Sequence, residues 1–133
     1  VTGTDKEGRM GETAPSARLG QWGQDRAESF LKSRGMRLLS RNFSCGSGEI
    51  DLVMVDADGS LVFVEVKTRT REVFADAEAA VTPVKNLRLG RAVRFFLAKH
   101  RLGQRPFRMD VVVVVPGRRK TTRIRHYMDT FSP

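Results

Sequence analysis

Apolar residues change their spacing several times along this chain, and each change marks an element. Residues 1–15 are rich in Gly, Thr and charged residues with almost nothing apolar, which reads as a disordered leader before a single domain over 16–133. Leu19, Trp22, Ala27, Phe30 and Leu31 then recur at helical spacing. Ser16 is placed to cap that helix, which runs to about residue 34, and Gly35 to close it. Gly20 and Gly23 weaken its first turns. Residues 36–43 suggest a short strand or extended connection, and 44–48 a loop. Segments 49–55 and 61–67 read as strands flanking Asp56-Ala57-Asp58-Gly59-Ser60, a turn signal. A loop over 68–77 leads to a helix over about 83–99, with Pro83 in its first turn. Leu89, Val93, Phe96 and Leu97 form its apolar stripe, while Lys85, Arg88, Arg91 and Arg94 occupy other faces. Residues 110–115 suit a strand buried on both sides. A turn at Pro116-Gly117 and three basic residues precedes a last strand over 122–128. This order, without internal repeats, indicates an α/β domain with a mixed sheet.

The hairpin carries the chemistry. Alternate residues of a strand share a face, so Ile50, Leu52 and Met54 stand together, opposite Glu49, Asp51, Val53 and Val55. In the second strand Val62, Val64 and Val66 stand together, opposite Leu61, Phe63, Glu65 and Lys67. Each strand has one apolar face and one that becomes charged away from the turn. With Val55 paired to Leu61, Asp51 falls opposite Glu65 and Glu49 opposite Lys67. Directly opposed side chains have Cβ atoms roughly 4.5–5.5 Å apart, and two carboxylates at that distance repel. A hard divalent cation such as Mg²⁺ or Mn²⁺ would relieve the repulsion. Lys67 shares the face of Glu65 and is placed to meet a phosphate oxygen or an attacking water. A half-exposed hairpin with mixed surface charge is the plainer reading, but Val53, Leu61 and Phe63 lie on the same face and imply that it is covered. Buried carboxylates need partners.

Charge points the same way. Lys and Arg total 24 against 15 Asp and Glu, a formal net charge of +9 in 133 residues. Such an excess concentrates polyanions, of which nucleic acid is the commonest in a cytosol. The longest apolar run, residues 111–115, is far below the roughly 20 residues of a membrane span. The first residues lack the apolar core of a signal peptide. The single cysteine, Cys45, excludes an internal disulfide and suits a reducing compartment. A cytoplasmic protein with no membrane partner is therefore expected. His100 and His126 have no Cys or His at ligand spacing, which argues against zinc, and neither common phosphate-cradling glycine loop is present. Gly46-Ser47-Gly48 precedes a strand and reads as flexible linkage.

The run Gly48-Glu49-Ile50-Asp51-Leu52-Val53, followed by Leu61-Val62-Phe63-Val64-Glu65-Val66-Lys67-Thr68-Arg69, resembles the signature of the YraN-like bacterial family. That family is assigned to the PD-(D/E)XK, or restriction-endonuclease-like, superfamily, and is similar to archaeal Holliday-junction resolvases. The likeness extends to Arg34-Gly35, Leu38-Leu39 and Arg41-Asn42 upstream, and to Val81-Thr82-Pro83 with Lys85, Met109-Asp110-Val111-Val112-Val113 and residues 124–131 downstream. It implies a mixed central sheet flanked by helices, with the superfamily's acidic residue at Asp51 and its E-x-K at Glu65 and Lys67. Glu49, Arg69 and Lys85 match family-typical positions. One departure bears on the metal and one on a phosphate or water contact. Gln24 stands after Gly23 where the family usually has Glu, and an amide brings a carbonyl donor without charge. Glu28, one turn later on roughly the same helical face, is a candidate substitute. Asn86 also replaces the usual glutamine after Lys85.

The expectation is a Mg²⁺- or Mn²⁺-dependent nuclease acting on DNA rather than RNA, with branched substrates among the candidates. Asp51 and Glu65 bind metal, Lys67 positions the attacking water, Glu28 or Gln24 completes the shell, and Arg69, Lys85 and Arg88 hold phosphate with Glu49 beside them. A homodimer would suit two-strand or junction cutting, although no residue demands it. The competing expectation is a nucleic-acid-binding module that keeps the fold without catalysis, which Gln24 favours. A scaffold for an acidic protein is a third.

Overall fold

The computed structural model describes residues 15–46, 48–69, 83–118 and 121–130. Its elements are α1 (Pro15–Ser33), β1 (Arg37–Cys45), β2 (Gly48–Val55), β3 (Leu61–Thr68), α2 (Pro83–Lys99), β4 (Phe107–Pro116) and β5 (Thr122–Tyr127). The leader expected over 1–15, apart from Pro15 itself, and the loop residues from Thr70 onward lie outside the described residues, as do Arg119, Lys120 and the side chain of Lys85.

Proline's fixed φ suits a first helical turn, and α1 starts at Pro15 rather than after a cap at Ser16. Its other end is as expected. Gly35 takes φ +93°, the Met36 amide donates to the Leu31 carbonyl at 3.1 Å and the Gly35 amide to that of Lys32 at 3.0 Å. This six-to-one and five-to-two pair is the glycine-closed helix end, and Leu31 and Met36 supply its usual apolar contact.

The strands form one five-stranded sheet in chain order, antiparallel from β1 to β3, parallel between β3 and β4, and antiparallel again at β5. The α/β class and mixed sheet are thus as expected, and the arrangement is compatible with a restriction-endonuclease-like fold. Two strands exceed their sequence signal. The segment expected over 36–43 as a short strand or extended connection is the nine-residue β1, reaching Cys45, and β4 begins at Phe107 because Phe107 and Arg108 pair with Leu61 and Val62. Pairing extends both, β1 with β2 across a two-residue connection and β4 with β3 far back in the chain.

The helices cover opposite faces. Ala27 and Leu31 of α1, with Met36, pack on Leu52, Met54, Val62, Val64, Val112 and Val114. On the other side Leu89, Ala92, Val93, Phe96 and Leu97 of α2 pack on Val53, Val55, Leu61, Phe63 and Met109. Cover on both faces is why β2, β3 and β4 are almost continuously apolar. One charged cluster interrupts the α1 side. Fully buried Asp110 accepts from Arg108 Nε at 3.1 Å and from the Asp129 amide at 2.9 Å, and meets His126 Nε2 at 2.7 Å. Arg108 Nη1 also donates to Asp56 at 2.8 Å, tying the β2–β3 turn to β4. No described helix is long and apolar enough to cross a membrane.

Candidate functional site

The β2–β3 register is the one the turn predicted, Val55 to Leu61 through Leu52 to Val64, but the ladder stops there. Asp51 is next in line, and its other neighbour is irregular too. On β1, Arg41 pairs with Leu52 and Phe43 with Ile50, while Asn42 between them pairs with nothing in the ladder and adopts φ +52°. Left-handed backbone is costly for most residues, and Asn is among the few that tolerate it. Its consequence is a reversal of sides. Arg41 reaches α1, where it bonds Glu28, whereas Phe43, two residues on, meets Phe96 of α2 at 5.0 Å between ring centroids. Ile50 does likewise. Alternation assigns it to the face of Leu52 and Met54, but it packs in the α2-side core with Val53 and Val55. Both strands therefore exchange faces at one place, and Asp51 sits at that place.

The break redirects the Asp51 side chain. Instead of standing opposite Glu65 across a regular ladder, its Oδ2 accepts the backbone N–H of Val66 at 2.7 Å. A carboxylate taking a backbone amide stabilises by about 1.5–3 kcal/mol, so the side chain bridges the gap the ladder leaves. Asp51 is thereby fixed one residue from Glu65, and the expected opposition of Glu49 and Lys67 does not occur.

Glu65 and Lys67 lie together as their spacing requires. Lys67 Nζ is 2.9 Å from Glu65 Oε2, with the lysine side chain 3% exposed and the glutamate 20%. Pairing with Val111 and Val113 of β4 holds both on the face opposite α1. A buried ammonium is tolerated only with a partner, and Glu65 supplies it.

The α1 residues approach from the other side. Gly23 is pressed against Thr68, the last residue of β3, so that a Cβ there would overlap Thr68 Oγ1 and lie 2.9 Å from its Cβ. Glycine at this position lets the helix reach the strand end. Gln24 beside it is 8% exposed, and its Nε2 is buried without a hydrogen-bond partner among the described residues. Glu28 is occupied differently. Arg41 Nε and Nη2 donate to its two oxygens at 2.6 and 2.8 Å, and Lys32 Nζ lies 2.7 Å away. The Arg41 hydrogen bonds, helped by Lys32, hold the Glu28 carboxyl well below its usual range, at about 2. Glu28 thus anchors β1 one residue from the Asn42 irregularity. It is not gathered with Asp51 and Glu65, and no group of three or more His, Cys, Asp or Glu side chains arranged for a metal occurs among the described residues.

A cleft of about 710 Å³ lies between the β1–β2 connection and α2, lined by Ser44, Cys45, Gly46, Gly48, Glu49, Arg88 and Arg91, with Asp51, Glu65 and Lys67 outside its lining. Gly48 is needed there, since a Cβ would come within 2.7 Å of the Arg88 carbonyl oxygen. The glycine that looked like flexible linkage is a contact point between β2 and α2. Arg88, Arg91 and Glu49 are exposed at the cleft. Arg69 continues β3, its amide donating to the Val114 carbonyl at 3.0 Å and its Nη1 to the Thr68 carbonyl at 2.9 Å. Lys85 belongs to the first turn of α2.

Asn42, Gly48 and Arg91 were not singled out as site residues by the sequence reading. Asn inside an otherwise strand-like run was the available signal for the first. The other two are defined only by the packing of α2 on β2.

Two carboxylates beside a lysine form an oxygen-donor set that suits a hard cation, which commonly uses one or two carboxylates with water and substrate phosphate filling its remaining positions. Nothing in it suits a soft thiophilic ion.

Comparison with known proteins agrees with the extent of this framework. The family model described as uncharacterised protein family UPF0102 matches residues 23–114, from Gly23 of α1 to Val114 of β4. A UPF0102 protein of Ralstonia pickettii is 45% identical over 102 residues, covering 74% of this chain and 82% of its own. One from Geotalea uraniireducens is 37% identical over 123 residues, covering 92% and 96%. Another from Alkalilimnicola ehrlichii is 45% identical over 105 residues. The break at Asp51, the Glu65–Lys67 pair and the glycine contacts all lie inside the matched span, and the chain belongs to the UPF0102 family.

Proposed function

We propose that this protein is a metal-dependent nuclease of the cytoplasm that hydrolyses phosphodiesters in DNA, with branched forms among its substrates. The observation that carries the reading is the paired break of β1 and β2 at Asn42 and Asp51. It costs backbone strain and ladder hydrogen bonds, and it fixes a carboxylate beside a second carboxylate and a buried lysine. Strain of this kind is characteristic of functional sites. The likeness of these residues to the PD-(D/E)XK superfamily supports the same chemistry, as does the net charge of +9.

In this reading Asp51 and Glu65 hold Mg²⁺ or Mn²⁺. When bound, such an ion offsets the extra negative charge of a phosphoryl transition state and lowers the pKa of water. Lys67 donates from Nζ to a phosphate oxygen or to the attacking water, and its pairing with Glu65 holds Nζ in place before substrate arrives. Arg88 and Arg91 receive backbone phosphates in the cleft, while Arg69 and Lys85 extend the basic surface. Exposed Glu49 narrows the choice of groups the cleft accepts by repelling a phosphate placed too near β2.

A second reading has its own support. Gln24 stands where an acidic residue is usual in the resembling family, and the Glu28 carboxylate is engaged by Arg41 and Lys32. A module that binds nucleic acid without cutting it would tolerate both features.

One experiment separates the two. Linear, flapped and four-way-junction DNAs are incubated with Mg²⁺ or Mn²⁺ and either wild type or Asp51→Ala. Metal-dependent products that disappear in the variant are expected. Tight, salt-sensitive binding by both proteins with no product from either refutes the nuclease and leaves the binding module.

A further inference from the structure

Sheet register carries the site further than the hairpin does. On β4 and β5, Val113 pairs with both Lys67 and Arg125, so these three residues form one row across three strands on a single face. The neighbouring row runs from Glu65 through Val111 to Tyr127. The next places Arg123 beside Val115, level with the chain just beyond Thr68. Ile124 faces the other way and packs in the α1-side core, which fixes the orientation of β5. Arg123 and Arg125 are both exposed. The floor beneath them is Val111, Val113 and Val115, a buried cluster separate from the α2 core, joined among the described residues only by Tyr127.

Resting on the nuclease reading above, we infer that Arg123 and Arg125 of β5 form a second backbone-binding subsite for the nucleic-acid strand whose phosphodiester meets Asp51, Glu65 and Lys67. Adjacent strands lie about 4.8 Å apart, so β5 is about 10 Å from β3. A strand of duplex DNA advances about 3.4 Å along the axis for each charge, and the span corresponds to about three nucleotides. The substrate then crosses the sheet strands, with the α2 cleft on one side of the reacting bond and the β5 arginines on the other. Arginine suits this task because its planar fork pairs with phosphate oxygens bidentately. Charged residues also guard exposed sheet edges against strand addition, and that role makes no demand on nucleic-acid affinity.

The test is fluorescence anisotropy on an end-labelled DNA duplex across a salt series, with metal chelated so that nothing is cut. Wild type is compared with Arg123→Gln/Arg125→Gln, with the charge-keeping Arg123→Lys/Arg125→Lys, and with Arg88→Gln/Arg91→Gln as a variant of the α2 cleft alone. The glutamine pair at β5 is expected to bind about tenfold more weakly at low salt, and its plot of log affinity against log salt to be shallower by about two. The lysine pair should keep most of the wild-type slope, which guards against a mere folding defect. If wild type and the cleft variant differ from each other but the β5 glutamine pair matches wild type in affinity and slope, the subsite is refuted and the arginines are edge guards. If wild type itself does not bind the DNA duplex at low salt, the nuclease reading fails first, and the subsite falls with it.

Discussion

Removing the Glu65 carboxylate should cost stability as well as one ligand of the proposed metal site. Lys67 is 3% exposed and its ammonium lies 2.9 Å from Glu65 Oε2, so Glu65→Ala leaves a cation buried beside the valines of β4. Breaking one partner of a buried pair costs about 3–5 kcal/mol, against a total stability of about 5–15 kcal/mol for a domain. For a chain of this size each kcal/mol moves the melting temperature by about 3–5 °C, and a drop of about 10–25 °C follows. Glu65→Gln keeps an acceptor for Nζ and should lose less than half as much. The double variant Glu65→Ala/Lys67→Met removes both charges and should recover most of the loss, because an apolar side chain of similar length fits a buried site without a partner. Thermal melts of the four proteins, monitored by circular dichroism, measure this directly. A melting temperature for Glu65→Ala within about 2 °C of wild type would refute a buried pair. A double variant no better than the single would show that the cost lies elsewhere than in the stranded ammonium. The same series has a practical use: inactivity of Glu65→Ala is interpretable as lost chemistry only at temperatures where it is folded, and Glu65→Gln is the safer probe.

The remaining predictions concern α1. Glu28 has a folded-state pKa of about 2, below its usual 4.5; its contribution is present above pH 4.5 and is lost as pH falls from there towards 2. Because Arg41 is half-exposed at 52%, solvent screens the pair, and the contribution is about 1–2 kcal/mol rather than the full value of the shift. Urea midpoints should separate wild type from Glu28→Gln at pH 6 and converge towards pH 2.5; a constant gap contradicts the assignment. Gly23→Ala gains about 1 kcal/mol in helix propensity but overpacks against Thr68, at about 1–3 kcal/mol. A net loss is expected, with recovery when Thr68→Ala is added, and a raised melting temperature for Gly23→Ala alone would disprove the contact.

The local features of this protein were legible in the sequence because they depend on short-range periodicity. Helical spacing marked Ala27 and Leu31 and the α2 stripe, alternation put Glu65 and Lys67 side by side, and the Asp56–Ser60 turn set Val55 against Leu61. What tertiary structure decided is where that periodicity is broken. Alternation has no means of signalling that Ile50 changes sides, since the cause is a positive φ at Asn42 on a different strand, compensated by an Asp51 hydrogen bond to Val66. Helical spacing likewise could relate Glu28 to Gln24 but not reveal that Arg41 would claim its carboxylate. Gly48 looked like slack in the chain until α2 was packed against it, and Arg125 joined the row of Lys67 only through a strand that neither belongs to. A pattern along the chain reports which face a residue prefers. Which residues meet there, and which are bent away from that preference, depends on contacts between segments far apart in sequence, whose combined packing outweighs any one local rule.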